Sequence, residues 1–237
     1  MLVSFLIPVY NEEKRIAKAI KALENYLKTF KHDYEVLFID DGSKDKTVRK
    51  IRESAPKFKY QVVSYTPNRG KGYAIRQGML RAMGDYRLFF DVDMSTPLEE
   101  FANFLPKLNK TTVLIGNRKG EGSEVIVHQP YLREKMGQVF TLLARGLVAW
   151  EVTDFTCGFK LFPKEIALKV FEKARVDRWS YDAEILFLTK KFGYKIQQIP
   201  VSWVDDPRTR VILIKDSIQS FADLMVIRWS DLQGKYR

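Results

Sequence analysis

The sequence predicts an α/β protein with a mostly parallel central sheet covered by helices on both faces. Short apolar runs alternate with helical patterns through the first half of the chain, in a βαβαβαβ order. The runs are nearly all apolar, as strands buried on both faces require. Three of them end in polar clusters rich in acids: Asn11-Glu12-Glu13, Asp40-Asp41 and Asp91-Val92-Asp93. In a parallel sheet such ends lie along one edge, where open α/β sheets bind their ligands.

Residues 3–8 read as a buried strand. Ile16, Ile20, Leu23 and Leu27 then recur at helical spacing, with Asn11 as the expected helix cap. Residues 35–39 form a second strand, stopped by Asp40-Asp41-Gly42-Ser43, and a short helix follows through Val48 and Ile51. Residues 61–65 are a third strand. Asn68-Arg69-Gly70-Lys71-Gly72 leads into a helix carrying Ala74, Ile75, Met79 and Ala82. Residues 86–91 are a fourth strand, which ends in the acid pair, and residues 112–115 a fifth. In the mixed second half, 131–149 and 181–192 are expected to be helical and 196–203 a late strand. Residues 119–130, with Gly120, Gly122 and Pro130, are expected to be a mobile loop. No repeat or linker marks a second globular unit. The expected organisation is a catalytic domain over 1–212 and an amphipathic C-terminal helix over 213–237.

A formal charge of +11, from 40 Lys and Arg against 29 Asp and Glu, implies an anionic partner. No aromatic-plus-basic RNA signature accompanies the charge, so nucleic acid is not expected. The single cysteine, Cys157, excludes an intramolecular disulfide and fits a reducing compartment. The opening apolar run is short and is followed by acids, so it reads as a core strand and not a signal peptide. No stretch reaches the roughly 18 uncharged apolar residues of a membrane span. A soluble or peripheral protein is expected.

Side chains at i and i+2 of a strand share a face, so Asp91 and Asp93 would leave the strand end together. Two adjacent carboxylates repel unless a cation lies between them, and hard oxygen ligands suit Mg2+ or Mn2+. Gly70-x-Gly72 hints at a dinucleotide fingerprint, but Ile75 stands where that pattern needs a third small residue. Lys71 in this loop is suited to a phosphate. Asp154 is suited either to act as a base or to orient Arg and Lys side chains. Cys157 reads as a small core residue. Asp182 and Glu184 fall at a helix start, where the dipole favours acids.

Pro8-Val9-Tyr10-Asn11-Glu12-Glu13, Ile39-Asp40-Asp41-Gly42-Ser43, Asn68-x-Gly70-Lys71-Gly72 and Asp91-x-Asp93, in that order, resemble family 2 glycosyltransferases of the GT-A (Rossmann-like) fold. Asp154-x-x-Cys157-Gly158-Phe159-Lys160, then Arg178-Trp179-Ser180-Tyr181-Asp182-x-Glu184, then Ile199-Pro200-Val201-x-Trp203, narrow the likeness to the dolichyl-phosphate β-glucosyltransferases and their polyprenyl-phosphate relatives. Mannose synthases acting on dolichyl phosphate share much of the pattern. Two departures are expected to matter: Ser95 occupies a position where the mannose synthases often carry glutamine, and the N-terminal anchor of the eukaryotic glucosyltransferases is not expected here.

The resemblance implies that Pro8, Tyr10, Glu12 and Asp40 line a nucleoside pocket. Lys71 and Asp91 would face the nucleotide, and Asp93, with Asp91, would hold Mg2+ or Mn2+ on the diphosphate. Arg118 and Arg133 would lie near an acceptor phosphate, with Lys160, Trp179 and Asp182 on the same side. Arg210 would belong to a loop closing over the donor. The implied reaction is inverting transfer of a hexose, glucose from UDP-glucose first and mannose from GDP-mannose second, to dolichyl or polyprenyl phosphate. Transfer to a saccharide hydroxyl and a silent basic module are the competing expectations. A phosphate acceptor is largely dianionic at neutral pH, its second pKa being about 6, and needs no strong base. His32 and His128, the two histidines, fall outside every motif. Ile218, Phe221, Leu224, Met225, Ile227 and Leu232 give the C-terminal helix an apolar face beside Arg228, Trp229, Lys235 and Arg237. That pattern suits peripheral attachment to an anionic, cytoplasmic membrane face.

Overall fold

The computed structural model describes residues 1–54, 56–127, 131–204 and 213–237, without the side chains of Val127, Arg133 and residues 213–217. The strands are β1 (Leu2–Val9), β2 (Asp33–Asp40), β3 (Tyr60–Ser64), β4 (Tyr86–Phe89), β5 (Thr112–Asn117), β6 (Glu124–Val127), β7 (Lys160–Pro163), β8 (Lys195–Pro200) and β9 (Ser202–Val204). The helices are α1 (Ile16–Leu27), α2 (Thr47–Glu53), α3 (Lys71–Arg81), α4 (Phe101–Phe104), α5 (Tyr131–Leu147), α6 (Lys164–Lys173), α7 (Tyr181–Lys191) and α8 (Leu213–Leu232). A seven-stranded sheet runs β3-β2-β1-β4-β7-β5-β8, and β6 pairs with β9 in a small second sheet.

Period-two alternation sorts the strand residues onto two cores. Val3, Phe5 and Ile7 of β1, Val36 and Phe38 of β2, and Leu88 of β4 pack with Ile16, Ile20 and Leu23 of α1, Ile51 of α2 and Phe101 and Phe104 of α4. Leu6, Leu37, Ile39 and Phe89 face the other way, against Ala74, Ile75 and Met79 of α3 and the buried residues of α6, α7 and α8. Both faces are thus covered, as the apolar runs require.

The parallel order predicted for β1, β2, β3 and β4 is observed. Five details differ. Strand β4 stops at Phe89, so Asp91-Val92-Asp93 lies in a turn, where Met94 adopts φ 56. Asn11 does not cap α1, which starts after Arg15; with φ 50, it turns its side chain to accept from the Lys44 amide at 2.7 Å. The expected late strand is divided between β8 and β9, which serve different sheets, and β6 occupies part of the expected loop 119–130. Finally, β7 enters antiparallel between β4 and β5, pairing Phe89 and Ile115 with Lys160. Because it runs backwards, the start of β7 lies at the edge where its parallel neighbours end.

Helix α8 packs on the core through Leu224 and Ile227, both fully buried. Beyond it, the Tyr236 hydroxyl donates to buried Glu184 at 2.6 Å, and Glu184 also accepts from the Arg175 and Val176 amides. Burial raises the Glu184 pKa against these donors. Among the described residues, no helix is long and apolar enough to cross a membrane. Tyr236→Phe should leave Glu184 short of a donor and lower stability by about 1–3 kcal/mol in chemical denaturation.

Candidate active site

Strands β1, β2 and β4 are parallel neighbours, so their three acidic ends meet at one edge. Hydrogen bonds knit the first two together. The Asn11 amide donates to Ser43 Oγ at 2.9 Å, Glu12 N–H to Thr47 Oγ1 at 2.6 Å and Glu13 N–H to Asp45 Oδ2 at 3.1 Å. Pro8 is buried within β1 opposite Ile39, and Tyr10 is partly exposed just beyond it. Glu12 is buried and forms an ion pair with Arg15 at 2.6 Å. Asp40, also buried, accepts from the Ser43 amide at 3.0 Å.

Asp41, which no motif assigns a role of its own, anchors the glycine loop. It accepts from the amides of Arg69 and Gly70, each at 2.8 Å, and from Asn68 Nδ2 at 2.5 Å. The two glycines serve packing as well as turning. A Cβ on Gly70, whose φ is +117, would stand 2.5 Å from Asp177 O, and one on Gly72 would stand 2.5 Å from Tyr181 Cβ. The loop therefore presses against the segment that leads into α7. At its end Lys71 forms an ion pair with Asp91. Burial opposes the Lys71 charge, but Asp91 and Asp182 outweigh it and raise the pKa.

Asp91 is seated by Gly158, since an added Cβ there would stand only 2.1 Å from Asp91 Oδ2. Two residues on, Lys160 is wholly buried, pairing with Asp182 and donating to Cys157 O at 2.6 Å. Lys160 has no exposed surface and lies behind the site, held by these two partners. Cys157 is buried as well, and burial pushes its thiol up to about 11, in keeping with a core residue.

Asp93 differs from these acids. It makes no ion pair among the described residues, accepts from the Ser95 amide at 3.0 Å, and has its pKa raised by burial and then by Asp91. An acid short of positive charge beside a second acid is a natural seat for a cation. No group of three or more His, Cys, Asp or Glu suitable for a metal occurs among the described residues. Two carboxylates are nonetheless a sufficient protein share for Mg2+, which is commonly held by one or two carboxylates and fills its remaining positions from substrate phosphates and water; Mn2+ takes similar oxygen ligands. Lys14, Arg15 and Lys18 line a recess of about 30 Å3 with Val92, Asp93 and Met94, a basic wall that motif reading missed. Its signal was present in the helical spacing of Lys14 and Lys18 directly after the first acidic cluster.

Across the edge, beyond β5, Arg118 and Asp154 form a fork-to-fork pair. Arg118 Nε and Nη2 donate to the two Asp154 oxygens at 2.7 Å, and the Arg118 amide adds a bond at 3.0 Å. Asp154 has no exposed surface. Burial works against its charge, but Arg118 prevails and holds the carboxyl far below the usual range. Asp154 thus holds the Arg118 guanidinium, and both of its oxygens accept from it. The Arg118 guanidinium also lies 5.2 Å from the Trp203 ring. Trp179 is 37% exposed, ahead of α7. The Arg133 side chain and Arg210 lie outside the described residues.

Paired acids, cations and a glycine loop at the strand ends of an open α/β sheet define a crevice for a phosphorylated ligand. Residues 4–171 match the model of glycosyl transferase family 2, and the chain belongs to that family and is a glycosyltransferase. It is similar to dolichyl-phosphate beta-glucosyltransferases, with 34% identity to that of Homo sapiens over 99% of this chain and 77% of the relative. Identity to that of Dictyostelium discoideum is 32%, over 99% and 76%. Among solved structures, glucosyl-3-phosphoglycerate synthase from Mycobacterium tuberculosis, in complex with Mn2+, UDP-glucose and phosphoglyceric acid, has a TM-score of 0.70 at 19% identity, over 96% of this chain and 80% of that one. Mannosyl-3-phosphoglycerate synthase from Rubrobacter xylanophilus has a TM-score of 0.72 at 14% identity, over 99% and 75%. These two likenesses establish the GT-A fold.

Gly158→Ala should displace the Asp91 carboxylate. The expected outcome by calorimetry is Mn2+-dependent UDP binding weakened about 10–100-fold, the range typical of lost support to a metal ligand, with uridine binding and circular dichroism unchanged. Unaltered Mn2+-dependent binding would show that Asp91 does not depend on the space at Gly158.

Proposed function

We propose that this chain transfers glucose from UDP-glucose to a polyprenyl phosphate, dolichyl phosphate or a close relative, with inversion at the anomeric carbon. The observation that carries the acceptor is the Arg118–Asp154 pair. Transfer to a hydroxyl calls for a base within reach of the acceptor proton, and Asp154 is committed to Arg118 through both oxygens. A phosphate acceptor needs no such base and calls instead for guanidinium donors; with Nε and Nη2 of Arg118 on Asp154, its Nη1 is, among the described residues, the donor left to offer. The names of the relatives at 32–34% identity support glucose as the sugar.

In this mechanism Pro8, Tyr10, Glu12 and Asp40 line the nucleoside pocket, and Lys71 faces the diphosphate. Asp91 and Asp93 would hold Mg2+ or Mn2+, which would neutralise the diphosphate and stabilise it as it leaves. Arg118, with Arg133, clamps the acceptor phosphate against the anomeric carbon, while Trp179 and Asp182 shape that side. An acceptor oxygen lone pair forms the new bond to the anomeric carbon. The bond from that carbon to the β-phosphate oxygen breaks, and UDP departs with the electron pair.

The acceptor is drawn from a membrane, and we place the chain on the cytoplasmic face as a peripheral protein, with residues 213–237 as its interfacial element. Ile218, Phe221, Met225, Val226, Trp229 and Leu232 of α8 are all exposed, an apolar stripe suited to the head-group region. The direct test presents a panel of nucleotide sugars, UDP-glucose and GDP-mannose included, to polyprenyl phosphate with Mg2+ or Mn2+. Transfer from UDP-glucose, lost in Asp93→Ala, is expected. Transfer from GDP-mannose alone, or to saccharide hydroxyls alone, would contradict the proposal.

A further inference from the structure

A second basic feature lies outside this crevice. A cleft of about 300 Å3 is lined by Lys119, Thr153 and, from α5, Gln138, Thr141, Leu142 and Arg145. Its cations differ from those of the active site. Lys71, Arg118 and Lys160 are each neutralised by a carboxylate of the chain. Among the described residues, neither Lys119 nor Arg145 has an ion-pair partner. The Lys119 ammonium donates to Thr141 Oγ1 at 3.0 Å, and the Arg145 Nε donates to Trp150 O at 2.9 Å with its guanidinium 4.6 Å from the Trp150 ring. Burial lowers the Lys119 pKa; of the charged groups acting on it, Asp154 and Glu134 favour its charge and Arg118 opposes it. The guanidinium Nη groups of Arg145 make no hydrogen bond among the described residues. The cleft thus carries uncompensated positive charge with hydroxyl and amide groups around it, the composition of an oxyanion site.

Its surroundings indicate where the anion comes from. Leu142, in the cleft wall, is 63% exposed, and Val139 and Trp150 beside it are 58% and 67% exposed. Exposed apolar side chains next to unpaired cations match a bilayer surface, where phosphates lie above acyl chains and tryptophan favours the boundary.

We propose that the cleft between Lys119 and Arg145 binds the phosphate of an anionic membrane lipid, with Leu142, Val139 and Trp150 entering the apolar layer beneath it. The site rests on the membrane-surface location given above and adds a specific headgroup contact on α5, adjoining the Arg118–Asp154 pair but using other cations. It would hold the enzyme at the bilayer while the acceptor is drawn to the active site.

The test compares flotation of the full chain and of the Lys119→Gln/Arg145→Gln variant with vesicles of phosphatidylcholine alone and with phosphatidylglycerol added. At about 1 kcal/mol for each basic residue near an anionic surface, the double variant should partition about thirty-fold more weakly to the anionic vesicles. The two proteins should behave alike on neutral vesicles. Transfer to a water-soluble short-chain polyprenyl phosphate should keep its KM in the variant, whereas transfer to acceptor embedded in anionic vesicles should fall. Equal flotation of variant and wild type on anionic vesicles would overturn the headgroup site while leaving the membrane location intact. A raised KM for the soluble acceptor would reassign the cleft to the acceptor, also overturning it. Protection by millimolar inorganic phosphate equal to that by the lipid would reduce it to a free-phosphate site. Failure of the wild type to float on any vesicle would reject the membrane location itself.

Discussion

The strand-end crevice gathers acids that would repel one another without counter-charges from the same chain. Lys71 answers Asp91, Arg118 answers Asp154, Lys160 answers Asp182 and Arg15 answers Glu12. Buried charges are tolerated only when paired and hydrogen-bonded, and removal of one partner from such a pair typically costs about 3–5 kcal/mol. Asp93 departs from this scheme, with an amide for a partner and no ion pair among the described residues. In the proposed mechanism this distribution divides the groups: paired acids hold cations in place, and Asp93 would leave negative charge for a divalent cation.

This electrostatic arrangement depends on topology. Parallel β1, β2 and β4 bring three acidic turns to one edge, but they do not supply a back wall. Antiparallel β7 does so, because its reversed direction carries Gly158 and Lys160 to the same edge. Gly158 leaves room for the Asp91 carboxylate, and Lys160 offsets Asp182 beneath it. The proposed site is therefore built from a sheet whose reversed strand β7 closes it.

The parts legible in the sequence were those governed by periodicity. The alternation of Val3, Phe5 and Ile7 against Leu6, and the spacing of Ile16, Ile20 and Leu23, specified elements that fold as expected. The less legible parts were set by long-range contacts. Lys160–Pro163 is four residues long and begins with a buried lysine, so no strand pattern announces β7. Asp91 and Asp93 were expected on the strand, sharing a face; they meet instead in a turn, because β4 ends two residues earlier. Asn11 looked like a helix cap by residue type, yet its carbonyl is used by amides of the next βα loop, more than thirty residues away. Asp154 could be read as a base or as an orienting acid until its oxygens were seen bonded to Arg118.

The central claim is that the enzyme supplies positive charge and the acceptor supplies its own nucleophile. It is tested most directly by the pH dependence of kcat/KM for acceptors whose phosphate groups differ in second pKa. The account predicts that the rise in rate follows the ionisation of each acceptor, near pH ~6 for a phosphate monoester, and shifts with it for a phosphonate analogue. A rise that stays at one pH for every acceptor would mean that a group on the enzyme takes the proton, and would contradict the account.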